Sequence, residues 1–569
     1  MLEKIQYLGK ATCRGILFLI IVLLPATYLS LSCQKAGRRY LFTEISKEAR
    51  LEFVHDAGNH GQYELPENMV SGGGFLDYDN DGRLDIYLLN GASQKGSAVA
   101  ANRLFRQTER GAFVDVTDAT GAGDTGHGMG LAAGDIDNDG DVDLYVSNYG
   151  PDVLYRNNGE GTFSNITNAA GIENREWGAS AVFHDFDLDG FLYLYIPNYV
   201  KYDSTVVCKD MAGRRDYCGV SRFPGVQDKI YQNNRDGTFS DYSQHSGIGA
   251  IAAKGLGVVS ADFNNDGLAD IYVANDEEPN NLWINKGDFR FEDLAMQYGV
   301  AVNAVGHPEA GMGIAVGFLD NLTTPDLFVT HLSEESNTYY KSTNGNTFFD
   351  NTSPAKLDAP SLPFTGFGAG FFDYDHDGDL DLAVVNGRIA RPSSSASNAS
   401  SAFWDQYAEP NLLFENKSDG AFAQVDADCG PFCRTIETSR GLAFGDVDND
   451  GDLDLLVTNI GAPARLYRND AVKSGNWLIV RVVDPALHRD TIGAEVTVYA
   501  ESNVFKRLVL AGYSYLASHD VRVHFGLGKA ETVDRIVVEW PGGKSEVFYG
   551  IAVNQFAVLE KGFGSALDD

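Results

Sequence analysis

Along most of this chain, apolar and polar residues alternate in short runs, and the runs return in a fixed order. One run is a nearly continuous apolar strand opened by an acid: DIYLLN, DLYVSN, DIYVAN, DLAVVN, DLLVTN. A second is of the LYRN type, at Leu104-Phe105, Leu154-Tyr155, Ile230-Tyr231, Leu282-Trp283, Tyr339-Tyr340, Leu413-Phe414 and Leu466-Tyr467. A third, of the FxDVT type, begins at Phe42, Phe113, Phe163, Phe239, Phe291, Phe348 and Phe422. The second and third recur seven times each, at intervals of roughly 50 to 75 residues, and the first has a copy in every repeat, the one in the third repeat opening on Tyr193 in place of the acid. Strand-length runs rich in β-branched and aromatic residues, four to a repeat, predict an all-β fold: a seven-bladed β-propeller over about residues 40–470. The chain enters on an FxDVT strand at Phe42 and leaves the repeats on an LYRN strand at Leu466. Elsewhere these two are hairpin neighbours, so the ends are expected to share one sheet and remove two exposed edges.

Between the first two strands of six repeats stands an acidic loop: DYDNDGRLD (Asp77 to Asp85), DIDNDGDVD (Asp135 to Asp143), DFDLDGFLY (Asp185 to Tyr193), DFNNDGLAD (Asp262 to Asp270), DYDHDGDLD (Asp373 to Asp381) and DVDNDGDLD (Asp446 to Asp454). The fifth repeat has FLDNLTTPD (Phe318 to Asp326), which keeps only Asp320 and Asp326. Oxygen-bearing side chains at positions 1, 3, 5 and 9, with glycine at position 6 for a sharp turn, suit Ca²⁺. The side-chain ligands expected are Asp77, Asp79, Asp81 and Asp85; Asp135, Asp137, Asp139 and Asp143; Asp185, Asp187 and Asp189; Asp262, Asn264, Asp266 and Asp270; Asp373, Asp375, Asp377 and Asp381; and Asp446, Asp448, Asp450 and Asp454. A merely solvated acidic face would not place glycine at position 6 six times. An EF-hand would need a glutamate at position 12, where the first loop has Leu88. About five to six Ca²⁺ ions per chain follow, with the third site weakened by Tyr193, and each loop is expected at a blade's periphery.

The repeats resemble the FG-GAP/VCBS-type repeats of integrin α-chain propellers. That resemblance implies Ca²⁺ on one face of the propeller, and adds the position-7 carbonyls of Arg83, Asp141, Leu268, Asp379 and Asp452 as ligands.

From about Asn476 the pattern changes. NWLIVRVV, AEVTVYA, RLVLAG, VRVHFGLG, RIVVEW and FAVLEK alternate as strands of a small β-sandwich-like domain over 476–562. Asn476-Trp477, His488-Arg489-Asp490, Gly512-Tyr513-Ser514-Tyr515-Leu516, His524-Phe525-Gly526-Leu527-Gly528 and Trp540-Pro541-Gly542-Gly543 resemble the ASPIC/UnbV domain that follows FG-GAP-type repeats in the cartilage acidic protein family.

Charge and cysteines narrow the setting. The net charge of −35 argues against a nucleic-acid partner, and 27 of the 79 acidic residues lie in the loops just described. Lys4, Lys10 and Arg14 precede an apolar stretch from Gly15 to Ser32, and Cys33 follows, so residues 1–33 read as an export signal. Cys33 is a candidate for lipidation and membrane attachment, although Ser30 departs from the usual lipoprotein pattern. A plain secreted protein and an uncleaved anchor are the alternatives. In an exported protein, Cys208 with Cys218 and Cys429 with Cys433 are expected as local disulfides; a zinc site would need all four to converge.

Signs of catalysis are sparse. GAGDTG (Gly121 to Gly126) opens no helix, and there is no GxSxG, HExxH or Walker loop. His127 precedes a strand that should line the central channel. His184 and His376 read as loop fillers. Arg489, Asp490, His519 and His524 could converge in the C-terminal domain. The sequence therefore predicts an exported calcium-binding module for a protein or glycan at the cell surface. The alternative is an accessory protein or enzyme of polysaccharide or natural-product metabolism, which should cluster histidine, tyrosine and acids at the channel mouth.

Overall fold

The computed structural model describes residues 40–567 other than 60, 92–99, 321–323, 344–346, 392–402 and 427. The expected export signal with Cys33, and the Ser-rich run near Ser393, lie outside the described residues.

Each repeat folds into a four-stranded antiparallel sheet. The fourth is representative: Gly255–Ala261, Asp270–Asn275, Asn281–Asn285 and Phe291–Asp293 lie in that order, and the acidic loop joins the first strand to the second. The seventh sheet is made from both ends of the repeat region. Phe42–Glu44 pairs with Arg465–Asn469, with Phe42 opposite Asn469. First strands of successive sheets touch in a closed cycle, the last returning to the first. The fold is thus the all-β propeller expected, closed by its termini.

The continuous apolar strands are explained by burial on both faces. Neighbouring sheets share cores such as that of Val259, Tyr272 and Leu282 with Ile314, Leu327 and Tyr340. Where the first strands converge there is no room for side chains. A Cβ on Gly313 would fall 2.0 Å from the Phe367 carbonyl oxygen, and one on Gly257 would fall 2.2 Å from that of Met312. Both expected disulfides form, Cys208–Cys218 and Cys429–Cys433.

The C-terminal region forms two packed sheets. One centres on Asn476–Asp484, between Val523–Gly528 and Gln555–Glu560; the other contains Glu495–Ala500, Asn503–Leu508, Arg535–Trp540 and Lys544–Phe548. Their shared core includes Leu478, Val496, Phe525, Ile536 and Trp540. One segment leaves this sandwich and enters the ring. Ala517–Ser518 pairs in parallel with Gly73–Leu76 of the first sheet. Ser514 exchanges backbone hydrogen bonds with Ile314 in the fifth repeat, and its Oγ accepts from the Ala369 amide in the sixth. The Leu516 amide donates to Ser180 Oγ in the third. Tyr515 is fully buried, with its hydroxyl on the Met69 carbonyl at 3.1 Å. The segment thereby fills the propeller axis.

Candidate metal centres and the domain interface

Two backbone features make each acidic loop compact. The position-6 glycines adopt left-handed φ, from 81° at Gly82 to 100° at Gly378. Position 4 is left-handed too: Asn80, Asn138, Leu188, Asn265, His376 and Asn449 all have φ between 54° and 63°. Asparagine tolerates this conformation best, which explains its frequency there. The turn brings amide groups back onto the first carboxylate. Asp77 accepts from the amides of Asp81 (3.0 Å) and Gly82 (2.9 Å), and Asp185 from those of Asp189 and Gly190. The position-9 carboxylate is anchored by two strands: Asp85 accepts from the amides of Tyr78 and Gln107, and Asp143 from those of Ile136 and Asn157.

This wrapping gathers carboxylates. Oxygens of Asp77, Asp79 and Asp85 lie within 4.8 Å of one another. The same holds for Asp135, Asp137 and Asp143, for Asp185, Asp187 and Asp189, for Asp373, Asp375 and Asp381, and for Asp446, Asp448 and Asp454. Burial, with the neighbouring carboxylates adding to it, pushes Asp85 up to about 8, Asp446 to about 7, and Asp135, Asp185 and Asp373 to about 6. Half-buried anions in such proximity need a compensating charge, and an all-oxygen set of this size fits a hard divalent cation such as Ca²⁺. Position 5 differs: Asp81, Asp139, Asp377 and Asp450 stand outside the close trios, and each accepts the amide two residues on. At position 7 the Asp141 side chain accepts from Asn80 Nδ2 (2.8 Å), and that of Asp452 pairs with His376 (3.0 Å) and Lys473 (2.8 Å). These two side chains are thus engaged by neighbours and not by their own loops' trios.

Three repeats depart from the pattern. In the third loop the Tyr193 hydroxyl donates to Asp187 (2.7 Å) and Asp189 (3.2 Å), and Arg235 pairs with Asp189 at 2.6 Å. In the fourth, Asn264 replaces an acid, and Asp262, Asp266 and Asp270 form no close carboxylate trio. In the fifth, Asp326 is buried under the Ser342 amide and the Tyr339 hydroxyl, while Asp320 pairs with Lys341 at 3.3 Å.

The loops do not stand at the blade periphery. They lie at the ends of the first strands, and the C-terminal domain rests on them. Gly451 of the seventh loop packs beneath Trp477, and Gly378 of the sixth beneath Phe505. Arg489 donates to Asn138 Oδ1 (2.9 Å) and the Gly190 carbonyl, and Arg522 to Asn449 Oδ1 (2.8 Å) and the Asp446 carbonyl. Of the four residues that could converge, Arg489, Asp490 and His519 line one cleft between the domains, and His524 lies outside it. Asp490 pairs with Arg481, His519 stacks on Tyr513 with ring centroids 3.6 Å apart, and His524 lies beside His376.

A further set of residues escaped sequence reasoning: the last residue of five of the LYRN strands. Asn157, Asn233, Asn285 and Asn469 donate from Nδ2 to the position-2 carbonyl of the preceding repeat's loop, at Tyr78, Ile136, Phe186 and Tyr374, and Gln107 does the same to Val447. Recurrence of this polar residue at the end of an apolar strand was the available signal. Position-4 asparagines also link loops around the ring: Asn80 donates to the Gly140 carbonyl and Asn138 to that of Gly190.

His127 Nε2 donates to the Pro66 carbonyl (3.1 Å), and His184 contacts Ser260 Oγ (2.8 Å). On the face opposite the acidic loops, polar groups occur in buried pairs: Tyr217 with Glu67 (3.1 Å), Tyr407 with Asp216 (2.8 Å), and Arg391 with Asp216 (3.3 Å). They lie among Trp177, Tyr199, Phe223 and Trp404, in the aromatic core of that face.

The chain matches the FG-GAP-like repeat family over 77–146, 135–196, 212–273, 262–321 and 401–457, which together cover half of it, and ASPIC and UnbV over 484–566. It is 28% identical to cartilage acidic protein 1 of Xenopus tropicalis over 297 residues, covering 51% of this chain and 42% of that protein. Against the Homo sapiens protein it is 28% identical over 311 residues, covering 53% and 43%. The matched part thus spans under half the length of these relatives. Among solved structures, it is similar to an Agrocybe aegerita lectin described as recognising non-reducing terminal N-acetylglucosamine (TM-score 0.38, 16% identity, 64% of this chain and 82% of that one). It is also similar to YCF48 bound to a D1 peptide (TM-score 0.40, 8% identity, 74% and 98%). By its repeats and its closing domain, this chain belongs to the FG-GAP-like repeat proteins that carry an ASPIC and UnbV domain.

Proposed function

We propose that the protein is an exported binding and scaffold module whose propeller holds about five to six Ca²⁺ ions, in the loops starting at Asp77, Asp135, Asp185, Asp262, Asp373 and Asp446. The observation that carries this reading is the set of five carboxylate trios, each within 4.8 Å, in which burial raises the proton affinity of Asp85, Asp135, Asp185, Asp373 and Asp446. The ions act structurally: they neutralise the face on which the C-terminal domain rests. Two disulfides support an oxidising compartment outside the cytoplasm. Lipidation of Cys33 would add membrane attachment, which the mass of the mature N-terminus decides.

The partner is a protein or glycan at the cell surface. The face opposite the ions supports this, because the disulfide-stapled insertion presents Val207 and Met211 there, 56% and 91% exposed. Metal analysis of dialysed protein should find at least four ions per chain, and fewer than three overturns the calcium reading. A pull-down from cell-surface extract, with and without chelator, tests the binding role.

A further inference from the structure

Between the acidic-loop face and the C-terminal domain lies a cleft of ≈ 400 Å³. Its propeller wall is Phe75, Leu76, Leu84, Ala133, Val142 and Leu192. Its opposite wall is Ile479, Ile492, Val521, Phe556 and Val558. Apolar clefts of roughly 300–1,000 Å³ with a few convergent polar groups are the usual form of a small-molecule site. The cleft is partly open, and its outer lip is Phe556 and Val558, 41% and 60% exposed. Exposed apolar side chains at the mouth of an apolar cleft are what an apolar occupant would cover.

One charged group sets the polarity of that occupant. Arg489 lines the cleft and is 7% exposed, yet all three of its hydrogen bonds go to neutral oxygens: Asn138 Oδ1 (2.9 Å), the Asp490 carbonyl (3.2 Å) and the Gly190 carbonyl (3.2 Å). The other two arginines of the cleft are already matched, Arg481 by Asp490 at 2.7 Å and Arg522 by Asp520 at 2.8 Å. Asp185, Asp135, Asp484 and Asp490 act on Arg489 electrostatically, but none of its hydrogen bonds goes to a carboxylate, and an incoming anion in contact would supply a charge-assisted one. Asp77 and Asp135 also border the cleft and would oppose an anion unless their loops hold cations.

We infer that this cleft binds a small amphipathic anion, an aliphatic or aromatic body lodged between the domains with its carboxylate toward Arg489. Its strength, though not its existence, rests on the calcium reading above. The expected ligand is a free molecule and not a lipid in a bilayer, because the walls on both sides of the cleft are protein.

The test is a calorimetric titration of the full mature protein with dodecanoate, and with dodecan-1-ol as the uncharged control, on samples of measured calcium content. Dodecanoate should bind one to one and at least tenfold more tightly than the alcohol. Val558→Trp, which fills the outer lip from an exposed position, and Val558→Asp, which sets a like charge there, should each weaken it at least tenfold. Both variants should keep the parent Tm. Absence of saturable binding, equal binding of the alcohol, or indifference to both Val558 variants overturns the inference. So does Val558-sensitive co-sedimentation with phosphatidylglycerol vesicles, which would make the ligand a membrane. If the sample holds no ions, the calcium reading falls, while the alcohol and Val558 comparisons still decide the cleft.

Discussion

Gly526 of the C-terminal domain lies against Asp373, the first residue of the sixth acidic loop, so closely that a Cβ there would fall 1.9 Å from the carboxylate Oδ2. A carboxylate of the sixth loop's trio is thus in contact with the backbone of the other domain. Gly526→Ala should force the two apart at a cost of about 1–3 kcal/mol, the range for overpacking. The expected outcome is a lower Tm and the loss of one ion by metal analysis. An unchanged Tm with full ion content would mean that the sixth loop and the C-terminal domain are not coupled.

Removing the ions should destabilise the protein in a pH-dependent way. Burial raises the pKa of Asp85 to about 8, Asp446 to about 7, and Asp135 and Asp373 to about 6, against an unfolded value near 3.9. The native metal-free state therefore binds more protons than the unfolded state between about pH 4 and 8, so its stability falls as pH rises through that window. With Ca²⁺ in place the ligands are already ionised, and a hundredfold excess over Kd adds about 2.7 kcal/mol per site. Melting curves in chelator should drop from pH 5 to pH 8 while those in excess Ca²⁺ do not. A chelated protein that grows more stable toward pH 8 would contradict this assignment.

The third loop offers a gain-of-affinity experiment. Arg235, on an exposed stretch, neutralises Asp189 at 2.6 Å. Arg235→Ala frees that carboxylate for a cation, and the change should raise the affinity of this site severalfold without affecting the other loops. Terbium luminescence titration would resolve it. Identical titrations for parent and variant would show that Tyr193 alone limits the site.

Ring closure depends on Phe42. Its ring is fully buried and meets Phe372, Tyr374 and Phe432, with centroids 6.2, 6.4 and 5.8 Å away. Phe42→Ala should cost about 3–5 kcal/mol. Deleting residues 34–50 should go further, exposing two strand edges and causing aggregation. Urea unfolding and light scattering would report each effect. A soluble, fully stable truncation would show that Phe42–Glu44 is dispensable.

The repeats were legible because propeller blades are local. The DxDxDGxxD run, the strand after it and the LYRN strand lie within one hairpin's reach, and even the shared seventh sheet follows from the order Phe42 to Leu466. The departure of the third loop from the pattern could be read from Tyr193, though the Arg235 pair with Asp189 could not. The placement of the loops could not, because it depends on which face the C-terminal domain covers. Nothing near Arg489 in sequence points to Asn138, 351 residues earlier. Gly512–Leu516 is visible in sequence only as a motif of its own domain, and only the ring's need for a filled axis reveals its destination.

That destination bears on the order in which the molecule can be made. Tyr515 bonds to Met69 across 446 residues, and Ala517 pairs with Gly73. The first repeat is synthesised early, yet its innermost edge finds its partner only when the final domain emerges. Contacts of such sequence separation fold slowly, since long loops must close before they are rewarded. A nascent chain therefore carries an open, apolar axis through most of its production, and every blade waits on the last hundred residues. Premature termination anywhere before Ser518 should yield not a shorter working propeller but an unfinished one, prone to association and dependent on chaperones until it is cleared.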